Sequence, residues 1–221
     1  MHAMRDAEDH GPTGTGGTGG TGGEDKAALR RELLDARALM PAGERAAAAS
    51  ALAVRALDLP ELASARTVAA YVSVGREPGT RALLDALRAR GVRVLLPVLM
   101  HDNDLDWAAY EGAEGLARAA RGLLEPVGDR LGGDAVLGAQ VVLVPGLAVD
   151  GRGMRLGRGG GSYDRVLARL ARAGARPALA VLLYEGEVIE RVPAERHDRP
   201  VDAAVTPAGV RRFAGAAGQE P

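Results

Sequence analysis

The chain has 221 residues, no cysteine, 28 basic against 29 acidic side chains and a net charge of −1. Balanced charge argues against a nucleic-acid-binding field, and the lack of cysteine excludes disulfide frameworks and thiolate zinc sites. No apolar run approaches the roughly 20 residues of a membrane span, and residues 1–24 lack the apolar centre of a signal peptide, so a cytoplasmic α/β protein is expected.

Residues 1–24 carry a Gly-Thr repeat that cannot bury apolar surface; a disordered tail is expected there and a frayed one over 214–221, flanking a single domain over 25–213. From Asp25 the pattern turns helical, with Leu29, Leu33, Ala36 and Met40 as an apolar stripe and Pro41-Ala42-Gly43 as its stop. Lys26, Arg30 and Arg37 recur at helical spacing on a neighbouring face. Such a face is ordinarily solvated. Of the 28 basic residues, however, only Lys26 is a lysine, which makes it a candidate for the compact point charge that arginine cannot supply; a leftover surface lysine is the alternative.

A second helix is expected over 44–57, burying Leu52, Ala53 and Leu57. A buried strand follows over 67–72, and residues 73–80 form the loop at its carboxyl end. Thr80 is placed to cap a helix that buries Leu83, Leu84 and Leu87 and stops at Gly91. Residues 92–98 complete a β-α-β unit with parallel strands, and in such sheets ligands bind beyond the carboxyl ends, where Glu77 lies; a plain loop acid is the alternative. Leu105–Tyr110 reads as an edge strand, with Trp107 as core or surface cover. Further buried strands are expected over 141–144, 177–184 and 203–206, the last one preceded by a loop in which His197 reads as a surface residue or, alternatively, a base.

Pro145 to Arg165 organises the rest. It leaves the run Val141–Val144, passes seven glycines and four arginines, and enters a helix marked by Tyr163, Val166, Leu167 and Leu170. Strand, glycine-rich turn and helix start form the layout that binds phosphate, because glycine permits close backbone approach and the helix start presents free N–H groups. Arg155 and Arg158 add forked donors suited to phosphate oxygens, and Asp164 a carboxylate for a hard metal. A P-loop does not fit, since no lysine lies near, and a dinucleotide fingerprint fails at Ser162.

Arg155-Leu156-Gly157-Arg158-Gly159-x-Gly161-x-Tyr163-Asp164-Arg165 resembles the signature of the 5-formyltetrahydrofolate cyclo-ligase family, the methenyltetrahydrofolate synthetases. Lys26-Ala27-Ala28-Leu29-Arg30, Glu77-Pro78-Gly79-Thr80, the Glu-Pro turn of Gly122–Pro126 and the closing segment with Asp198, Val201-Asp202 and Thr206 resemble other family segments in the same order. The resemblance implies an open, mostly parallel sheet with helices on both faces, of the NagB/RpiA/CoA-transferase-like kind. It implies conversion of 5-formyltetrahydrofolate, with ATP and Mg2+, to 5,10-methenyltetrahydrofolate, ADP and phosphate in a monomer or weak dimer, with no nucleic-acid or membrane partner.

By that resemblance Lys26, Arg155 and Arg158 are catalytic. ATP is held by Lys26, Arg30, Arg155, Leu156, Gly157, Arg158, Gly159, Gly160, Gly161, Ser162 and Tyr163. The folate meets Val72, Glu77, Arg158, Gly161, Ser162 and Tyr163, and Asp164 and Asp198 hold the magnesium. Ser162 stands where the family has a tyrosine, a loss of aromatic packing worth roughly 0.5–1.5 kcal/mol if that ring meets the substrate. A non-catalytic folate or nucleotide binder, and a related-fold enzyme acting on another phosphate-bearing metabolite with Glu77 as base or nucleophile, are the alternatives.

Overall fold

The computed structural model describes residues 21–195 and 198–213. The tails expected over 1–20 and 214–221, and His197, lie outside the described residues.

Helices α1 (Thr21–Leu39), α2 (Ala42–Ala56) and α3 (Pro60–Ser64) precede strand β1 (Thr67–Ala69), α4 (Arg81–Ala89), β2 (Arg93–Leu99) and β3 (Leu105–Ala109). A small hairpin, β4 (Leu116–Arg118) and β5 (Leu124–Pro126), leads to β6 (Val141–Val144). After β6 come β7 (Ala148–Asp150), β8 (Arg155–Leu156), α5 (Ser162–Arg172), β9 (Ala178–Leu182), β10 (Val188–Ile189), β11 (Ala203–Thr206) and β12 (Gly209–Arg212).

Seven strands form the central sheet in the order β12-β11-β9-β6-β1-β2-β3. The five inner strands run parallel, and β3 and β12 close the two edges antiparallel. Side chains alternate between the two faces, as the strand period of two requires. Val68, Val141, Leu143, Ala180 and Leu182 meet the α2–α4 layer, while Ala69, Val142, Val144 and Val181 meet α5. The fold is therefore the open, mostly parallel α/β sheet that the pattern indicates.

From β1 the chain crosses to β2 on one side, and from β6 it crosses to β9 on the other. The neighbouring carboxyl ends of β1 and β6 are thus the switch point where open α/β sheets form a ligand crevice. The loop after β1 carries Glu77, and the segment after β6 carries the glycines and arginines.

Several sequence expectations shift. α1 begins at Thr21, not Asp25, with Glu24 in its first turn, where an acid favours the helix dipole; residues 21–24 therefore belong to the helix. The expected apolar stripe holds only in part: Leu33 is buried and Leu29 packs beside it, but Ala36 is exposed, and Lys26 and Arg37 turn inward as well. The basic face turns inward because acidic and carbonyl partners from distant segments meet it. Thr80 occupies the helix N-cap without capping by its side chain; its hydroxyl accepts from Ser73 N at 2.9 Å and Ser73 Oγ accepts from Thr80 N at 3.2 Å, closing the loop instead.

Residues 124–126 are a strand, not a turn, because β4 pairs with them. The glycine-rich segment contains the β7–β8 hairpin, which pairs with β10 in a small second sheet. Beneath α1, Leu33 packs with Leu147, Ala148, Leu156 and Val192, so this small sheet seats the N-terminal helix. β12 follows the strand expected to be last, through the turn at Pro207 and Ala208. No helix among the described residues is long and apolar enough to cross a membrane.

Candidate active site

At the switch point the loop after β1 is closed on itself by the Ser73–Thr80 pair and by Glu77 Oε2 accepting from Val74 N at 2.9 Å. That leaves Glu77 Oε1 to accept from Arg158 Nη1 at 3.0 Å, joining the loops after β1 and β6. Glu77's side chain is 9% exposed and Arg158's 50%, so the pair lies at a cavity wall with the carboxylate inside.

Gly161 caps α5 at φ +75°, a left-handed conformation that a side chain would strain, and turns the loop into the helix start. Arg155 lies under this turn. Its Nη1 donates to Pro145 O at 2.9 Å and its Nη2 to Asp164 Oδ1 at 2.8 Å, while its Nε is buried without a partner among the described residues. Burial pushes the guanidinium down from its ordinary value, and Asp164 opposes that shift. The Tyr163 hydroxyl beside it is likewise buried and unpartnered, its acidity suppressed by burial and by Glu77.

Two cavities meet at this wall. One, of about 410 Å³, is lined mainly by apolar groups and by Tyr71, Val72, Glu77, Arg158 and Tyr163. The other, of about 230 Å³, is charged: Lys26, Arg30, Arg155, Asp164, Glu195 and Asp198 line it. Arg155, Gly157, Gly159, Gly161 and Asp164 belong to both linings, so the loop is a partition between an apolar and an ionic chamber. Lys26 reaches the ionic one from α1, with Nζ 2.7 Å from Asp198 Oδ2 and 3.4 Å from Glu195 Oε1. Arg30 Nε donates to Gly157 O at 2.9 Å, pinning the loop to the helix.

The residues singled out from sequence thus gather here. Val72, Glu77, Arg158, Gly161, Ser162 and Tyr163 all line the apolar cavity. Lys26, Arg30, Arg155, Leu156, Gly157, Gly159 and Gly161 line the ionic one with Asp164 and Asp198, whereas Arg158, Gly160, Ser162 and Tyr163 line the apolar cavity and not the ionic one. Among the described residues no three His, Cys, Asp or Glu groups converge as a closed metal cage. Two carboxylates facing one chamber fit instead a magnesium ion that arrives with phosphate oxygens and keeps its waters.

Sequence reasoning missed the frame behind the wall. Arg37 Nε and Nη2 hold Glu187 Oε1 and Oε2 at 2.6 and 2.9 Å, and Nη2 also donates to Gly146 O at 2.8 Å. Burial alone would lower the Arg37 pKa, and Glu187 more than offsets it, so that it is raised. The Tyr184 ring lies 5.6 Å from that guanidinium, and its hydroxyl donates toward Arg76 O and Glu77 O at 3.3 and 3.2 Å. Arg37's helical spacing from Lys26 was the one available signal.

The model of the 5-formyltetrahydrofolate cyclo-ligase family matches residues 22–207. A 5-formyltetrahydrofolate cyclo-ligase of Mycolicibacterium smegmatis is 41% identical over 82% of this chain and 93% of its own. One from Escherichia coli K12 is 32% identical over 72% of this chain and 87% of its own. The solution structure of the Aquifex aeolicus 5,10-methenyltetrahydrofolate synthetase superposes with a TM-score of 0.73 at 28% identity, covering 89% of this chain and 96% of that one. With its crevice at the switch point and these relatives along nearly its whole folded length, the chain belongs to the 5-formyltetrahydrofolate cyclo-ligase family.

Proposed function

We propose that this protein closes 5-formyltetrahydrofolate to 5,10-methenyltetrahydrofolate at the expense of ATP with Mg2+, releasing ADP and phosphate. The observation that carries the reading is the shared partition: one glycine-arginine loop separates an apolar chamber of ring-binding character from an ionic one suited to phosphates.

A formamide carbon is a poor electrophile. Its oxygen attacks the terminal phosphorus of ATP, ADP leaves, and the formyl carbon becomes an imidate phosphate. Nitrogen 10 then attacks that carbon and loses its proton, and the carbon–oxygen bond breaks to release phosphate. Both halves need positioning and positive charge on phosphoryl oxygens rather than covalent help from the protein.

Arg155 stands where the chambers touch and carries a buried Nε free to donate. Lys26 and Arg30 close the ionic chamber from α1, and the α5 start offers N–H groups to anionic oxygens. Glu77 orients the pteridine side, with Val72, Ser162 and Tyr163 as walls and Arg158 fixing the carboxylate. Asp164 and Asp198 would hold magnesium, which when bound neutralises phosphate charge and keeps the nucleotide extended. The working form is taken as cytoplasmic, a monomer or weak dimer.

The test is the near-ultraviolet absorbance of the methenyl product with purified protein, 5-formyltetrahydrofolate, ATP and magnesium. A rise that needs both nucleotide and metal supports the reading. No rise with ATP binding intact overturns it in favour of a binding protein, with Ser162 as the first substitution to reverse.

A further inference from the structure

A third hollow, of about 460 Å³, opens from the same wall. It shares Val74, Glu77, Arg121 and Arg158 with the apolar cavity, so the two lie against each other. Four arginines line it, Arg37, Arg76, Arg121 and Arg158, against the single carboxylate of Glu77. Glu77 pairs with Arg158, and Arg37 is matched by Glu187. Arg76 and Arg121 have no ion pair among the described residues. The hollow therefore presents two uncompensated guanidiniums.

Arg121 is held there against its backbone preference. Its φ of 58° and ψ of 20° lie in the left-handed region, and the other described non-glycine residue with positive φ is Asn103, at 64°. The two are joined: Arg121 Nη1 donates to Asn103 Oδ1 at 2.9 Å. Left-handed backbone at an L-residue persists where surrounding structure enforces it, and such positions cluster at ligand clamps. An arginine, with its fixed fork, suits a carboxylate.

We infer that Arg121, with Arg76, is a specificity-determining site for the glutamate carboxylates of the folate, which leave the apolar cavity through this hollow; the inference rests on the cyclo-ligase reading. A folate is an aromatic ring system with its anionic charge at the glutamate end, and that end carries two carboxylates. The apolar cavity takes the rings. Of the two chambers beside it, the 230 Å³ one mixes its cations with Asp164, Glu195 and Asp198, whereas the 460 Å³ one carries free positive charge.

The experiment compares 5-formyltetrahydrofolate with 5-formyltetrahydropteroate, which lacks the glutamate, on wild type, Arg121→Gly and Arg76→Ala. Glycine accepts the left-handed backbone at position 121, so that variant should keep its fold, checked by its melting temperature. Wild type should show a lower KM for the folate than for the pteroate, and Arg121→Gly should cut that ratio roughly tenfold. The folate KM of wild type, but not of Arg121→Gly, should rise steeply with salt. An unchanged ratio in both variants overturns the inference. If wild type turns over neither compound, the cyclo-ligase reading has failed instead. The same comparison by calorimetric binding of the two compounds then decides the site, equal affinities ruling it out.

Discussion

Arg37 and Glu187, 150 residues apart, form a bidentate ion pair with side chains only 3% and 7% exposed. It ties α1, which delivers Lys26 and Arg30, to Gly146 at the end of β6 and to the Tyr184 turn that braces Glu77. A pair this deep is not strongly favourable in itself, but half of it is costly to keep.

Removing one partner should therefore matter more than removing both. Arg37→Ala or Glu187→Gln should cost about 3–5 kcal/mol of stability, whereas Arg37→Met with Glu187→Leu should recover most of that. Urea unfolding of the three variants makes the comparison, and a double-variant loss equal to the sum of the two single losses would show that the pair is not coupled.

Lys26 is 8% exposed and holds two carboxylates of the closing segment. Lys26→Ala should remove a charge-assisted contact of roughly 1.5–3 kcal/mol, a loss of about tenfold to a hundredfold in kcat/KM for ATP. Lys26→Arg should not restore it, since the planar fork does not fill the place of a compact ammonium. Unchanged ATP kinetics would remove Lys26 from the site.

Asp164 meets Arg155 through one oxygen and stays 49% exposed, facing the ionic chamber. Asp164→Asn should raise the magnesium concentration for half-maximal rate about tenfold, as expected for a lost carboxylate ligand. A magnesium titration identical to wild type would send the metal elsewhere.

Tyr163 carries a buried hydroxyl without a partner among the described residues. Tyr163→Phe should leave stability unchanged or raise it by about 1 kcal/mol, because no hydrogen bond is lost and a desolvated polar group is removed. If the substrate engages that hydroxyl, the KM for 5-formyltetrahydrofolate rises several-fold in the same variant. A destabilised but kinetically normal variant would contradict both expectations.

Asp150 is fully buried and accepts from the backbone N–H groups of Arg152, Met154 and Val192 at 2.9–3.1 Å, and from Arg152 Nε and Nη2 at 3.0 and 2.6 Å. Burial by itself would raise its pKa, and the Arg152 fork with these N–H donors reverses that, holding it below the ordinary carboxylate value. A depressed folded value stabilises above the unfolded value of about 4 and is lost as pH falls through the folded one. Asp150→Asn should be less stable than wild type by roughly 1.5–3 kcal/mol near neutrality. The gap should close as pH drops below about 4. Urea midpoints across that range give the answer, and a gap independent of pH would contradict it.

Much of this architecture was legible beforehand. The strands at 141–144 and 203–206 are continuous apolar runs because parallel strands are covered on both faces. The helix after Thr80 announced its buried leucines and its Gly91 stop through local spacing. The glycine-arginine segment stood out as a loop leading into a helix because glycine content, arginine forks and a following helical period are local properties.

The face that α1 turns inward was not legible, because helical periodicity ranks leucine and alanine above lysine and arginine. Burial of Lys26 and Arg37 depends on Asp198, Glu195, Glu187 and Gly146 O, which no local window contains. The β7–β8 hairpin was hidden for a related reason: a two-residue strand has no period to detect, and β10 and the cluster under α1 sustain it. Arg121 left no mark at all, since its role follows from a left-handed backbone and from the two hollows it borders.

The sequence by itself determined the sheet-and-helix alternation, the glycine-arginine loop before a helix and the family, because apolar period, glycine placement and a long motif are carried by neighbours along the chain. Only the tertiary structure decided that one loop divides an apolar chamber from an ionic one, which basic side chains are buried and which positive charges stay free. Those depend on desolvation and on charge pairing between segments as far apart as Arg37 and Glu187, and such pairing exists only after the chain has closed around it.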